Sequence, residues 1–463
     1  MKIKTLTRSK TASTRERSAD LTKVYRTPAP ELHPFERARE YTRAVNAAKL
    51  DRVFAKPFVG ALSGHCDGVY CMAKNAARLG EMLSGDCAGE LRLWRLGDRS
   101  TLFSAQAHEG FVRGLSFTAG GERFLSCGTD KLVKLWDVNA LMARQEQLGR
   151  ASERSSGAWA AEGAAEPLSV FMGGAGFNAV DHAWDSQTFA TASSGLNVWD
   201  VERSRPISSF EWGVDSVHSV RYNPSQPNIV ASTGSDRSVC IYDTRLRTAV
   251  RKLILQMSSN AVCWNPREAF NFTAANEDTN LYSFDMRKLD RATSVHMDHV
   301  GAVMDLDYSP TGEEFVSGGY DRTVRIWKRD GGRSREVYHT KRMQRIFSVE
   351  YSMDGRYVLS GSDDTNLRLW KSDASAANGL LLPREKQQLQ YAEKLRDRYG
   401  HLEEVRRIVK HRHVPKVILK TRAKHQVMKQ SRKVKEDHRR EHSAPGSVPF
   451  VAARKQKVVK ELE

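Results

Sequence analysis

Three histidines and five aspartates recur in a pattern that invites a catalytic reading. His65, His108 and His299 each stand just ahead of an apolar, strand-like run, as in "GHCDGVYCMA". Asp130, Asp236, Asp278, Asp321 and Asp364 each stand six positions before an aromatic that closes another such run. With a serine, these are the parts of a nucleophilic triad, in which a base activates a hydroxyl and a carboxylate orients the base. Repetition argues against that chemistry. A reacting centre is built once, whereas these residue types return at the same phase of several repeats, which is how a scaffold behaves. A carboxylate in a tight turn accepts hydrogen bonds from turn amides and from a histidine at the start of the repeat. The pattern therefore predicts a structural network that satisfies buried polar groups. Ala88 and Ser193 hold the Asp position in two repeats, which are expected to lack the full network. No GxxxxGK, HExxH or GxSxG occurs. His411 and His413 lie among basic residues without a nearby Cys or carboxylate, poor surroundings for a metal ion. The expectation is no enzyme, no metal, no cofactor and no small-molecule substrate.

The elements that position these residues form a repeat. "SGDCAGELRLW", "SCGTDKLVKLWD", "TASSGLNVWD", "STGSDRSVCIYD", "AANEDTNLYSFD", "SGGYDRTVRIWK" and "SGSDDTNLRLWK" are each a small-residue turn followed by an alternating strand. Their closing aromatics are Trp94, Trp136, Trp199, Tyr242, Phe284, Trp327 and Trp370, at spacings of 42, 63, 43, 42, 43 and 43. A period of about 40–45, with Gly-His near the start and Trp-Asp near the end, is the WD-repeat signature of four strands per propeller blade. The predicted fold class is an all-β, seven-bladed WD-repeat β-propeller over residues 53–370, with basic, mainly helical extensions. "RVFAKPFVGAL" (52–62) has no partner in its own repeat. It is expected to supply the outer strand of the last blade and so close the ring. The long spacing marks an insert at 141–169, read as a mobile loop leaving the third blade, with Trp159 its one bulky anchor.

Charge separates the extensions from the body. The net charge of +18 is spread unevenly. Residues 1–52 hold 13 basic and 6 acidic side chains, residues 371–463 hold 24 and 11, and residues 53–370 hold 36 and 38. A neutral body with basic arms points to a polyanionic partner, most often nucleic acid. Residues 1–30 are predicted extended. A short helix then follows in 1–52, with Pro34 in its first turn and Tyr41, Val45 and Ala48 on the face that packs against the propeller rim. The C-terminal domain, 371–463, is predicted helical. Pro383 opens a helix with Leu389, Ala392, Leu395, Tyr399 and Leu402 on one face, and Gly400 bends or ends it. A second helix starts at Pro415 with a thin stripe of Leu419, Ala423, Val427 and Val434.

The densest stretch, "RRIVKHRHVPKVILKTRAKHQVMK", holds nine Lys or Arg and no acid. Arg406, Arg407, Lys410, Arg412, Lys416, Lys420, Arg422 and Lys424 lie in it. Their like charges repel in free solution, and phosphates remove that repulsion while releasing counterions. Regularly interleaved aromatics are missing from it, so contacts with the backbone and grooves of structured RNA fit better than base stacking. The competing reading is a solvated tail that serves as a nuclear-import signal. No apolar run has the length of a membrane span, and the basic start lacks the apolar core of a secretory signal, so no membrane partner and a cytosolic or nuclear place are expected. The six cysteines show no CxxC pair and read as reduced, buried thiols.

Several blocks outside the blade endings carry a resemblance. "HPFERAREYTRAVNAAKLDRVFAKPF", "CWNPREAFNFTAANEDTNLYSFDMR", "SREVYHTKRMQ", "HRHVPK" and "PGSVP" resemble the Sof-type WD-repeat proteins of the nucleolar small-subunit processome. The resemblance covers both flanks but not the insert. It implies a non-enzymatic scaffold in the nucleus and nucleolus, working with pre-rRNA, the guide small nucleolar ribonucleoprotein particle and other processome proteins during maturation of the 18S-type rRNA. It also implies Lys341, Arg342 and Arg345, with Arg412, His413 and Lys416, as assembly contacts. Some relatives are described as substrate receptors of cullin-type ubiquitin ligases, which grip the ligase adaptor through a Trp-Asp-x-Arg box. "YDTR" and "FDMR" match that box at Arg245 and Arg287, with Tyr242 and Phe284 in place of Trp. Strand capping explains the same arginines without a partner.

Overall fold

The computed structural model describes residues 18–19, 35–144, 166–211, 216–246, 248–377 and 379–462. Pro34, Trp159 and nearly all of the stretch predicted extended lie outside them. The chain divides into two compact units, one of Met1–Pro57 with Asp373–His413 and one of Phe58–Ser372 with Val414–Glu463.

In the larger unit, seven antiparallel sheets follow one another along the chain, six of four strands and one of five. Blade 1 shows the plan, with strands Val69–Lys74, Glu81–Asp86, Glu90–Arg95 and Ser100–Gln106 running from the inner edge outward. Each closing aromatic sits opposite a large apolar residue of the second strand. Phe124 faces Trp136, Phe189 faces Trp199, and Phe315 faces Trp327, with ring centroids 6.1–6.2 Å apart and nearly parallel planes. Such cross-strand pairs anchor register, because a one-residue slip would turn every aromatic to the other face. The turn between the second and third strands uses a left-handed residue in six of the blades. Lys131, Arg237, Thr279, Arg322 and Thr365 adopt it directly after their aspartates, and Gly89 adopts it in blade 1. At Gly89 a Cβ would stand 2.0 Å from the His108 carbonyl oxygen, so glycine is required there for space as well as for φ.

Closure follows the expected route. Phe58–Leu62 pairs with Leu367–Lys371 as the outer strand of blade 7, so the two ends of the ring are joined by one sheet. Arg52 and Val53, assigned to that strand from sequence, end a helix instead. The insert also departs from expectation. It lies between the third and fourth strands of blade 2, since Ser169–Met172 pairs with Leu132–Asp137. Residues 138–144 are helical, and Val138 and Leu141 belong to the core of blades 1 and 2.

The C-terminal extension is not one domain. Its last strand, Val458–Leu462, adds a fifth strand to blade 4 by pairing with Ala249–Leu255. The helix α4 (Lys416–Glu441), which precedes it, belongs to the same unit. The smaller unit holds α1 (Glu36–Val53), α2 (Pro383–Arg398) and α3 (Glu403–Lys410). Ala44, Val45 and Ala48 of α1 pack on Leu395 and Val405, with Tyr41, Tyr399 and Ile408 at the margin. The apolar face read from the sequence is therefore real, but its partner is the chain's own tail helices rather than the propeller rim. Tyr41 donates to Glu404 at 2.6 Å, Tyr399 to Glu40 at 2.6 Å, and Arg396 pairs with Asp51 at 2.6 Å. Leu389, placed on the buried stripe, is half exposed.

Candidate assembly and nucleic-acid interface

The histidine–aspartate pattern resolves into structural networks. In blade 2, His108 Nδ1 lies 2.8 Å from Asp130 Oδ2, and its Nε2 lies 2.8 Å from Ser126 Oγ. Trp136 Nε1 donates to the same hydroxyl at 2.9 Å. Blade 6 repeats this with His299, Asp321, Ser317 and Trp327 at 2.7–2.9 Å. All of these side chains are buried or nearly so, and each serine hydroxyl also accepts from an indole N–H, so the groups tie the strands of the blade to one another. Burial pushes the Asp321 carboxyl up, but the His299 charge and hydrogen bond and the Arg325 charge outweigh it, holding Asp321 far below the usual carboxylate range. Burial also lowers the His108 imidazole, against its Asp130 bond.

Other blades fill the aspartate position differently. Asp236 pairs with Lys252 at 2.6 Å, Asp278 accepts from the Tyr282 hydroxyl at 2.5 Å, and Asp364 pairs with Arg368. Blade 1 corrects an expectation. It has its network in spite of Ala88, because Asp86, two residues earlier, lies 3.3 Å from His65 Nδ1 and accepts from the Glu90 amide at 2.7 Å. Ser84 completes it between His65 Nε2 and Trp94 Nε1. In blade 3, which carries Ser193, Thr191 accepts from Trp199 Nε1 at 2.9 Å, and among the described residues that turn holds no histidine–aspartate pair. The serines escaped the sequence reading, although Ser84, Ser126, Ser317 and Ser360 all stand ten residues before their tryptophans.

A second set of buried charges lines the inner strands. Asp181 accepts from the Tyr222 amide at 2.7 Å, Asp305 from Val349 at 2.9 Å, and Asp307 from Tyr351 at 2.8 Å, each fastening its blade to the next. Lys74 reaches Asp307 at 2.5 Å. Among them Glu350 is 4% exposed and its Oε2 has no hydrogen-bond partner. Burial pushes its carboxyl up to about 8, with Lys74 opposing and Asp307 reinforcing the shift.

The cationic residues are placed in three groups. Lys341, Arg342 and Arg345 are exposed in the connection from blade 6 to blade 7. Arg406, Arg407 and Lys410 are exposed on α3, and its only buried residue is Val405. Arg412 folds back to donate to the carbonyls of Val409 at 2.5 Å and His411 at 3.0 Å, while His413 is exposed at the end of this unit. On α4, Lys416, Lys420 and Lys424 are exposed at four-residue steps. Arg422 differs from them, since its guanidinium pairs at 2.7 Å with buried Asp298, which also takes Arg333 at 2.7 Å. With Ile418, buried, and Lys429, 2.9 Å from the Met297 sulfur, Arg422 forms the face of α4 that meets the propeller. The predicted stripe of Leu419, Ala423, Val427 and Val434 is exposed instead. A polar anchor, rather than an apolar seam, sets the rotation of this helix.

Arg245 and Arg287 share one geometry on blades 4 and 5. Each donates from Nε and Nη2 to both oxygens of Asp243 or Asp285, at 3.1 and 2.8 Å. Both side chains stay 60% or more exposed, and Arg287 also lies 4.3 Å over the Phe270 ring.

A ring of WD-type blades followed by a basic helical segment defines the class of protein, a WD-repeat propeller with a helical C-terminal domain. Residues 99–137, 204–243, 292–328 and 335–371 match the WD domain, G-beta repeat, and residues 372–458 match the Sof1-like domain. The DDB1- and CUL4-associated factor 13 of Danio rerio is 47% identical over 463 residues, covering 100% of both chains. The human protein of that name is 46% identical, covering 99% of each. Protein SOF1 of Saccharomyces cerevisiae is 44% identical over 99% of this chain and 94% of its own length. The chain belongs to the Sof-type WD-repeat family. The WD40 propeller domain of Doa1 is similar in fold alone, with a TM-score of 0.55 at 18% identity over 68% of this chain and 96% of that one.

Proposed function

We propose that this chain is a non-enzymatic scaffold of ribosome biogenesis, acting in the nucleolus on the small-subunit precursor. Its propeller holds protein partners and its basic extensions hold pre-rRNA and the guide ribonucleoprotein particle. Full-length identity of 44% with Protein SOF1, through both flanks, supports the scaffold role. The observation that carries RNA contact is on α4. Lys416, Lys420 and Lys424 form an exposed row with no carboxylate partner among the described residues. Like charges four residues apart destabilise a helix unless an anion lies across them, and a helix in that setting suits a phosphate backbone. Arg422 holds the helix in place while its neighbours stay free. The test is RNA crosslinking in cells with the peptides mapped to the chain. Crosslinks in 403–441 support the reading, and recovery of no RNA overturns it.

A second reading rests on the name shared by several relatives, DDB1- and CUL4-associated factor 13. Arg245 and Arg287 present matching, exposed guanidinium–carboxylate pairs on adjacent blades, a surface suited to a ligase adaptor. Arg245→Ala with Arg287→Ala should abolish capture of such an adaptor and leave association with pre-ribosomal particles intact. Capture that survives both substitutions removes this surface from consideration.

A further inference from the structure

Cations and aromatic rings from four blades meet around the mouth of the central channel, although they are scattered along the sequence. Arg345 lies 5.0 Å over the Tyr320 ring, and Tyr320 meets Phe347 edge-on at 6.4 Å between centroids. Phe347 lies 5.7 Å from Tyr70. Arg113 stands 4.7 Å over Tyr70 and 5.5 Å from Phe111, and it donates to the Tyr70 hydroxyl at 2.8 Å. The order Arg345, Tyr320, Phe347, Tyr70, Arg113, Phe111 is one continuous arc over blades 6, 7, 1 and 2. It skirts a channel cavity of about 170 Å³ whose lining includes Tyr70, Arg113 and Phe347.

Three features show that the arc is unfinished. Tyr320 and Phe111, at its two arms, are 40% and 43% exposed. The Arg113 Nε is buried without a hydrogen-bond partner. Neither Arg113 nor Arg345 has a carboxylate within ion-pair distance among the described residues, in contrast to Arg245, Arg287, Arg329 and Arg333. Exposed ring faces beside unneutralised guanidiniums match the two halves of a nucleotide, a flat base and a phosphate. An acidic peptide would satisfy the guanidiniums but leave the ring faces in water.

The geometry points to a single-strand RNA site at this mouth, where unpaired bases stack on Tyr320 and Phe111 and phosphates lie on Arg345 and Arg113. This rests on the RNA reading above and adds to it a second, chemically different contact. The helix row of α4 takes backbone phosphates of any structure, whereas the arc selects unpaired nucleotides. Exposed Lys341 and Arg342, in the same connection as Arg345, extend the phosphate path outward.

The test uses the full chain with two probes, a short oligouridylate carrying photoreactive 4-thiouridine and a fully paired RNA hairpin. Tyr320→Ala and Phe111→Ala are each expected to weaken oligouridylate binding about tenfold, in line with the loss of one stacked base. Hairpin binding should stay unchanged, and Tyr320→Phe should restore oligouridylate binding. Crosslinks from the oligouridylate should fall on peptides containing Tyr320, Phe347 or Phe111. Oligouridylate binding that ignores both alanine variants but is lost on Lys416, Lys420 and Lys424→Glu overturns the arc and leaves the RNA reading standing. Failure of the unmodified chain to bind either probe overturns both. Displacement from the arc by an oligoglutamate peptide, with no displacement by oligouridylate, overturns it in favour of a protein ligand.

Discussion

Arg325 in blade 6 and Lys420 on α4 show how one kind of charge serves two ends. Arg325 is 1% exposed, beside Asp321 and Asp298, and burial lowers its affinity for the proton against the pull of those acids. Removing water around it makes every nearby partner count, so the turn around it cannot be changed piecemeal. Lys420 stands in water with like-charged neighbours a turn away on each side. It adds little to the folded state and is available to an outside anion. In the propeller's interior, charge is consumed by structure; on the tail helix, as at the rim arginines Arg113 and Arg345, it is left over, and what is left over is what a polyanion can read. Arg422 marks the border, a tail residue spent on the fold.

The largest effect should come from the buried side of this contrast. Asp321→Ala takes away the acceptor of His299 and the negative charge beside buried Arg325, and should cost about 3–5 kcal/mol in chemical denaturation. Because the Asp321 carboxyl is held far below its ordinary range, its stabilisation is complete above about pH 4 and declines as pH falls toward the folded value. A mutant as stable as the parent at pH 7 would show that the network is ornamental. Next in size, Lys416, Lys420 and Lys424→Glu together should lower RNA affinity about a hundredfold in low salt and flatten its salt dependence by about two to three counterions. The melting temperature should hardly move, and a large fall in it would mean that these lysines belong to the fold.

Glu350 sharpens the contrast from inside the propeller. Its folded carboxyl titrates at about 8 against an ordinary 4.5, so the folded state keeps a proton that the unfolded chain has released. Stability therefore falls as pH rises between those values. Glu350→Gln should raise stability at pH 8.5 and change it hardly at all at pH 4. Equal melting curves at both pH values would show that Glu350 is not buried uncharged. The smallest effect is expected for Arg422→Ala, about 1 kcal/mol or less, since Arg333 still answers Asp298. Faster amide exchange confined to α4 would register the lost anchor, and unchanged exchange would mean that Ile418 alone holds the helix.

Much of the propeller was legible because its signal repeats. Seven aromatic endings, five turn aspartates and three leading histidines reinforce one another, and the closing segment 52–62, of which 58–62 is the strand, stood out by having no partner of its own. Asp86 was missed because it sits two residues off the common phase and reaches the same hydrogen bonds through a different turn. The insert was placed one blade late because strand Ser169–Met172 is short and pairs backward across it. On α4 the periodicity pointed to Leu419 and its companions, but a single ion pair to Asp298 outweighed a stripe too thin to bury much area.

The sequence by itself determined the class of fold, the neutral body and the basic extensions, since periodicity and net charge are properties of the order of residues along the chain. Only the tertiary structure decided which tail helices pack on α1, that the last strand joins blade 4, and that Phe111, Arg113, Tyr320 and Arg345 share one rim. The physical reason is that these contacts join residues tens to hundreds of positions apart, where closing the ring, and not local preference, sets who meets whom.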